Sequence, residues 1–246
     1  MQNSEQYSIV YPKGFKSSGI HSKIKKRKKD LAIIYSEAPC TASGTFTKNV
    51  VKAAPVLLCE ENIGNLIRAV VVNSGNANAC TGEIGLVNAR KMAQATAEEL
   101  GVEQNQVLVS STGVIGQQLP IDNILAGIKI AVEELGSEKE NGIASAEAIM
   151  TTDTLKKQFA SEFMYEGKEV RLGGICKGSG MIHPNMATLL GFVTTDAAIE
   201  KDLLDELVRD GVNKSFNSIT VDGDTSTNDM VVVLANGASG TKKIND

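Results

Sequence analysis

A mixed α/β or α+β fold is predicted for this 246-residue chain. Apolar residues recur at steps of three and four over 121–135 and over 199–212, the period of a helix with one buried face. Short runs rich in Val, Ile and Leu, at 67–72, 107–109 and 230–234, have the length and composition of buried strands. The order of these segments does not repeat regularly enough to demand a Rossmann fold or a barrel.

In chain order, Leu31-Ala32-Ile33-Ile34-Tyr35 reads as a first strand. The run 67–72 is a second, leading into the turn-rich Asn73-Ser74-Gly75-Asn76-Ala77-Asn78. Residues 86–100 read as a helix with Ala93, Ala97 and Leu100 on one face. Val107-Leu108-Val109 is a short strand ending in the corner Ser110-Ser111-Thr112-Gly113. The helix 121–135 carries Ile121, Ile124, Leu125, Ile128, Val132 and Leu135 on one face, with Pro120 before it and Gly136 after it as start and stop signals. Strands are expected at 169–172, 189–195 and 230–234. The helix at 199–212 turns Ile199, Leu203, Leu207 and Val208 inward.

Composition excludes several classes. Hydrophobic residues make up 42% and charged residues 22%, an ordinary globular balance that rules out disorder and collagen. No apolar run approaches the roughly 18 residues of a membrane-spanning helix. The start MQNSEQYSIV lacks a basic region followed by an apolar stretch, so no secretory signal is expected. A net charge of −4 with no Trp is a poor basis for binding nucleic acid. The basic run Lys23 to Lys29 reads as a solvated loop. The four cysteines form no CxxC and, with only two histidines, no zinc pattern, so reduced thiols and a cytoplasmic location are expected.

Nucleophilic catalysis by Ser or Cys usually borrows a histidine. Here His21 borders the basic run and His183 precedes Pro184, a setting that more often serves structure. An N-terminal threonine needs no histidine, because its own α-amine, with a pKa of roughly 7.7–8.0, acts as base. Thr188, after Ala187, is such a candidate if the chain is cut before it. The glycine-rich 173–180 holds Lys177 and is either a structural turn or an anion site. Cys176 beside Lys177 is taken as a buried, inert thiol. The 110–113 corner is either a turn or a source of oxyanion donors. Asp222, Asp224 and Asp229 match no EF-hand, and no metal is expected.

KGSGMIHPNMATLLGFVTTDA (177–197) closely resembles the signature of the ornithine acetyltransferase, or glutamate N-acetyltransferase, family of arginine biosynthesis. VVNSGNANACTG (71–82), SSTGVIGQQLP (110–120), IMTTDT (149–154) and SFNSITVDGDTSTNDM (215–230) resemble other blocks of that family in the same order. The resemblance implies an αββα-like sandwich related to N-terminal-nucleophile enzymes and a precursor that cleaves itself between Ala187 and Thr188. Residues 1–187 would form an α chain and 188–246 the start of a β chain, in a heterotetramer of two of each. Thr188 would take the acetyl group from N-acetylornithine and pass it to glutamate. Thr112 and Gly113 would form the oxyanion hole, and Thr151, Lys177 and Thr188 would bind substrate. No cofactor is implied; acetyl-CoA is a second acetyl donor in the bifunctional members.

Family members run longer, and only 59 residues run from Thr188 to Asp246, so a C-terminally incomplete chain is expected. Two other readings are an amidase or aminopeptidase with the same self-cleaving logic and a non-catalytic carboxylate-binding module.

Overall fold

A computed structural model describes residues 8–181 and 189–245. Ala187, Thr188 and His183, on which the expectations above lean, lie outside the described residues.

The long strand β2 (Leu31–Phe46) organises the fold. Its first part pairs with β1 (Phe15–Ile20) on one side and β3 (Ile67–Asn76) on the other. A register shift between Tyr35 and Cys40 then bends it. Its second part, Thr41 to Phe46, pairs with β8 (Met230–Ala235). Beyond β3 lies β4 (Val107–Val114), parallel to it. Beyond β8 lie β7 (Leu190–Thr195), β6 (Lys168–Lys177) and the edge strand β5 (Lys157–Tyr165). One bent strand thereby joins two sheets.

Side-chain alternation builds the layers. Ala32, Ile34, Val70, Val72 and Leu108 of the first sheet meet Ile175, Phe192, Met230, Val232 and Leu234 of the second in one core. The intervening residues Leu31, Ile33, Ala69, Val71, Val107 and Val109 face α2 (Gly82–Leu100) and α3 (Ile121–Glu133). Val231 and Ala235 face α5 (Lys201–Lys214) through Leu204, Val208 and Val212. Helix, sheet, sheet, helix is the αββα order the resemblance implies. Two further helices, α1 (Ala54–Asn62) and α4 (Lys139–Ala148), add residues to the inter-sheet core.

Residues 173–177 are not a loop: they form the second half of β6. A Cβ on Gly173 would lie 2.2 Å from the Ser8 carbonyl oxygen, and one on Gly174 2.1 Å from the Phe159 ring. Those glycines admit close neighbours rather than making a turn. Ser110 to Gly113 likewise continue β4 instead of forming a corner. Residues beyond 188 do not fold apart from the rest, because β7 and β8 lie between β2 and β6.

Candidate active site

A cavity of about 610 Å³ opens where the carboxyl ends of β3, β4 and β6 meet the segment before β8. Thr112, Gly113, Thr151 and Lys177, the four described positions expected to bind or activate substrate, all line it. The chain leaves the described residues at Met181, on the cavity wall, and re-enters at Leu189.

The Thr112–Gly113 step is shaped by a register shift at Gly75 and Asn76 of β3. Gly113 has φ +135°, and a Cβ there would sit 2.3 Å from the Gly75 carbonyl carbon, so only glycine fits. Thr112 is buried, and its hydroxyl has no hydrogen-bond partner among the described residues. A hydroxyl beside a glycine peptide can serve a developing oxyanion.

Thr151 is tied to Lys177's neighbour through Asp153. Asp153 Oδ1 accepts from the Gly178 N–H at 2.8 Å and from Lys157 Nζ at 2.6 Å, while Oδ2 accepts from the Thr151 N–H at 3.4 Å. Burial alone would raise the Asp153 carboxyl; the Lys157 and Gly178 hydrogen bonds outweigh it and hold it below its usual range.

Lys177 is only 3% exposed, and its ammonium has no hydrogen-bond partner among the described residues. Burial lowers its pKa, opposed by the charges of Asp153 and Asp229. Asp229 is 1% exposed; its Oδ1 accepts the Leu189 N–H at 2.9 Å, and Oδ2 is unpartnered. Burial pushes its carboxyl up to about 7, against the pull of the Leu189 N–H, the Ser226 hydroxyl and Lys177. A cavity-lining base and a buried acid just behind the wall, beside Asn228, are thus both driven toward their neutral forms, a pattern common at functional sites. The burial of Asp229 was not legible from sequence. Cys176 is mostly buried, and burial raises its thiol, as expected of an inert cysteine.

The basic run does not behave uniformly. Lys26, Arg27 and Lys28 are exposed, but Lys25 turns inward and lines the cavity. The cause is Asp30, fully buried, whose Oδ1 accepts from the Ser22 N–H and hydroxyl and whose Oδ2 accepts from the Ile24 and Lys25 N–H groups, all within 2.6–2.9 Å. Reading the whole run as solvated is therefore corrected at Lys25. His21 is exposed, with Nε2 2.7 Å from the Lys25 carbonyl oxygen, and does not line the cavity.

Two facing sheets flanked by helices, with a cavity at their strand ends, define an N-terminal-nucleophile type of fold. The L-aminopeptidase D-Ala-esterase/amidase of Ochrobactrum anthropi, described as a variant of the Ntn hydrolase fold, shares it at 13% identity and TM-score 0.58, covering 93% of this chain and 73% of that one. The chain belongs to the ArgJ family, whose model matches residues 16–246. It is 55% identical over 241 residues to the arginine biosynthesis bifunctional protein ArgJ of Thermotoga neapolitana, covering 97% of this chain. It spans about three fifths of the length of the curated relatives it matches. Among solved structures, ArgJ of Bacillus halodurans is similar at 42% identity and TM-score 0.70, covering 75% of this chain and 97% of that chain. The ornithine acetyltransferase of Mycobacterium tuberculosis, solved with ornithine, is similar at 35% identity and TM-score 0.65, covering 75% and 96%. Among the described residues no helix is long and apolar enough to cross a membrane.

Proposed function

We propose that this cavity transfers an acetyl group from N-acetylornithine to glutamate through an acetyl-threonine on Thr188. The observation that carries the reading is convergence. Thr112, Gly113, Thr151 and Lys177 come from three separate parts of the chain and line one cavity. Family membership and the ornithine complex of the M. tuberculosis relative support the substrate class.

Each residue has a task. Cleavage before Thr188 frees an α-amine that takes the proton of the Thr188 hydroxyl as that oxygen attacks the acetyl carbonyl. The Thr112 hydroxyl and the Gly113 N–H stabilise the oxyanion. Collapse expels ornithine, and the amine of glutamate attacks the acetyl ester to give N-acetylglutamate and restore Thr188. Both substrates carry an α-carboxylate, and Lys177 offers it a buried ammonium that has no hydrogen-bond partner among the described residues. Thr151, placed by Asp153, contributes a further polar contact. The chemistry needs no resident cofactor, and acetyl-CoA serves as an alternative acetyl donor. The working protein is a cytoplasmic assembly of two α and two β chains. Cleavage would leave a first chain of 187 of the 246 residues, or 76%, which matches the 75% share aligned with the two solved family members.

The test is the intact mass of the wild type beside Thr188→Ala, run in parallel with the T. neapolitana relative. Pieces of 187 and 59 residues in the wild type alone support a self-activating Thr188. Glutamate must then accelerate loss of acetyl from N-acetylornithine. Release of acetate at a rate indifferent to glutamate would instead indicate an amidase.

A further inference from the structure

We propose that Lys25 is a carboxylate-binding residue of the cavity, acting beside Lys177 on the same ligand anion. The proposal rests on reading the cavity as an amino-acid site. The path of Lys25 is built, not incidental. Asp30 folds residues 22–25 around its two oxygens. Gly75, with φ +107°, leaves room for the stem, since a Cβ there would come within 3.1 Å of Lys25 Cγ and 3.0 Å of Ile24 Cγ2.

The ammonium ends with unused capacity. Lys25 Nζ donates to the Met150 carbonyl at 2.5 Å and to the Lys29 carbonyl at 3.0 Å, which occupies two of its three N–H donors. Both acceptors are neutral. No carboxylate of the described residues is in ion-pair contact with it. Of the acids that influence it, Asp30 is committed to backbone and Ser22 donors, and Asp153 to Lys157 and Gly178. Asp222 and Asp224 also line the cavity. Burial lowers the ammonium to about 8, and the neighbouring charges of Lys28 and Lys177 push the same way. Two lysines without ion-pair partners among the described residues line one cavity and repel each other. A ligand carboxylate, with two oxygens and about four lone-pair sites, can accept from both.

The test compares ornithine with its α-carboxamide by calorimetry on the wild type, Lys25→Met and Lys25→Arg, with circular dichroism to establish that each is folded. Amidation should weaken wild-type binding at least about 10-fold. Lys25→Met should weaken ornithine by about 10-fold and shrink the amidation penalty by the same factor, and Lys25→Arg should restore most of both. An amidation penalty unchanged in Lys25→Met overturns the proposal and leaves Lys25 as a prop for Met150. Acetate, titrated by NMR, separates this from the functional reading. Acetate binding that needs Lys25, with no ornithine binding, supports Lys25 and sinks the amino-acid reading. Binding of neither probe to the wild type overturns both.

Discussion

The side-chain amide of Asn228 is hydrogen-bonded to the Ser111 carbonyl at 2.8 Å, which pins the segment before β8 to the strand that carries Thr112. The same Nδ2 donates to the Ala77 carbonyl at 2.6 Å, and Oδ1 accepts from the Thr227 hydroxyl. One buried amide therefore holds three segments at the cavity. Asn228→Leu should destabilise the protein by about 2–4 kcal/mol, because two buried carbonyls lose their donor. Urea midpoints measure this. Asn228→Asp should be no better at neutral pH, because a carboxylate would face those same carbonyls without a proton to share. A loss under about 0.5 kcal/mol would mean that water replaces the amide.

Gly113→Ala should abolish transfer and weaken folding by several kcal/mol, through a collision with Gly75 added to a left-handed φ. Gly116 has φ +81° but open space around its Cβ position, so Gly116→Ala should cost only about 1 kcal/mol. Equal effects of the two substitutions would show that backbone strain alone, and not the approach of β3 to β4, makes glycine necessary.

Asp229 should make the protein less stable as the pH rises. Burial pushes its carboxyl up to about 7 in the folded protein, against 3.8 for an exposed aspartate. The folded state holds the proton more tightly, so this stabilisation is present below the unfolded pKa and is lost as the pH climbs through about 7. The span is up to about 4 kcal/mol between pH 4 and 7. Asp229→Asn should flatten the wild-type fall in stability over that window. Parallel curves for the two proteins would place the carboxyl elsewhere on the pH scale.

If the chain is cut before Thr188, the two pieces should elute together on gel filtration and part only in denaturant. The second piece supplies β7 and β8, flanked by β2 and β6 of the first. Co-elution that fails in native buffer would contradict this shared sheet.

Strands β3, β4 and β8 were legible because β-branched runs announce themselves, and α2 and α3 because their buried residues keep the helical period; α5 was legible as a helix, but its buried face is Leu204, Val208 and Val212, and Leu207, expected inward, is exposed. Helix α4 was not legible, since it meets β1 through small residues. A Cβ on Gly19 would lie 2.0 Å from the Ala144 carbonyl oxygen, and Ser17 Oγ lies 3.1 Å from Ser145 Oγ. Close approach of this kind leaves no apolar stripe to read. For the site, residue chemistry alone left 110–113 and 173–180 undecided, and family motifs singled out Thr112, Gly113, Thr151 and Lys177. Their convergence depends on a register shift in β3 and on sheet order, which no local pattern encodes. Lys25 was missed because its direction is set by Asp30, five residues away, and not by the charges around it.

The pairing of β2 with β8 joins Thr41 to Ala235 and Phe46 to Met230. A ribosome makes the first partner long before the second, and domains fold as the chain emerges, N-terminal parts first. Asp222, Asp224, Ser226, Thr227 and Asn228 are therefore translated after every other described residue that lines the cavity. Thr188 emerges earlier, while that wall is still unmade. If the chain is cut before Thr188, synthesis itself becomes a timer: a nascent polypeptide that has only just exposed Thr188 still lacks the wall formed by residues 222–228.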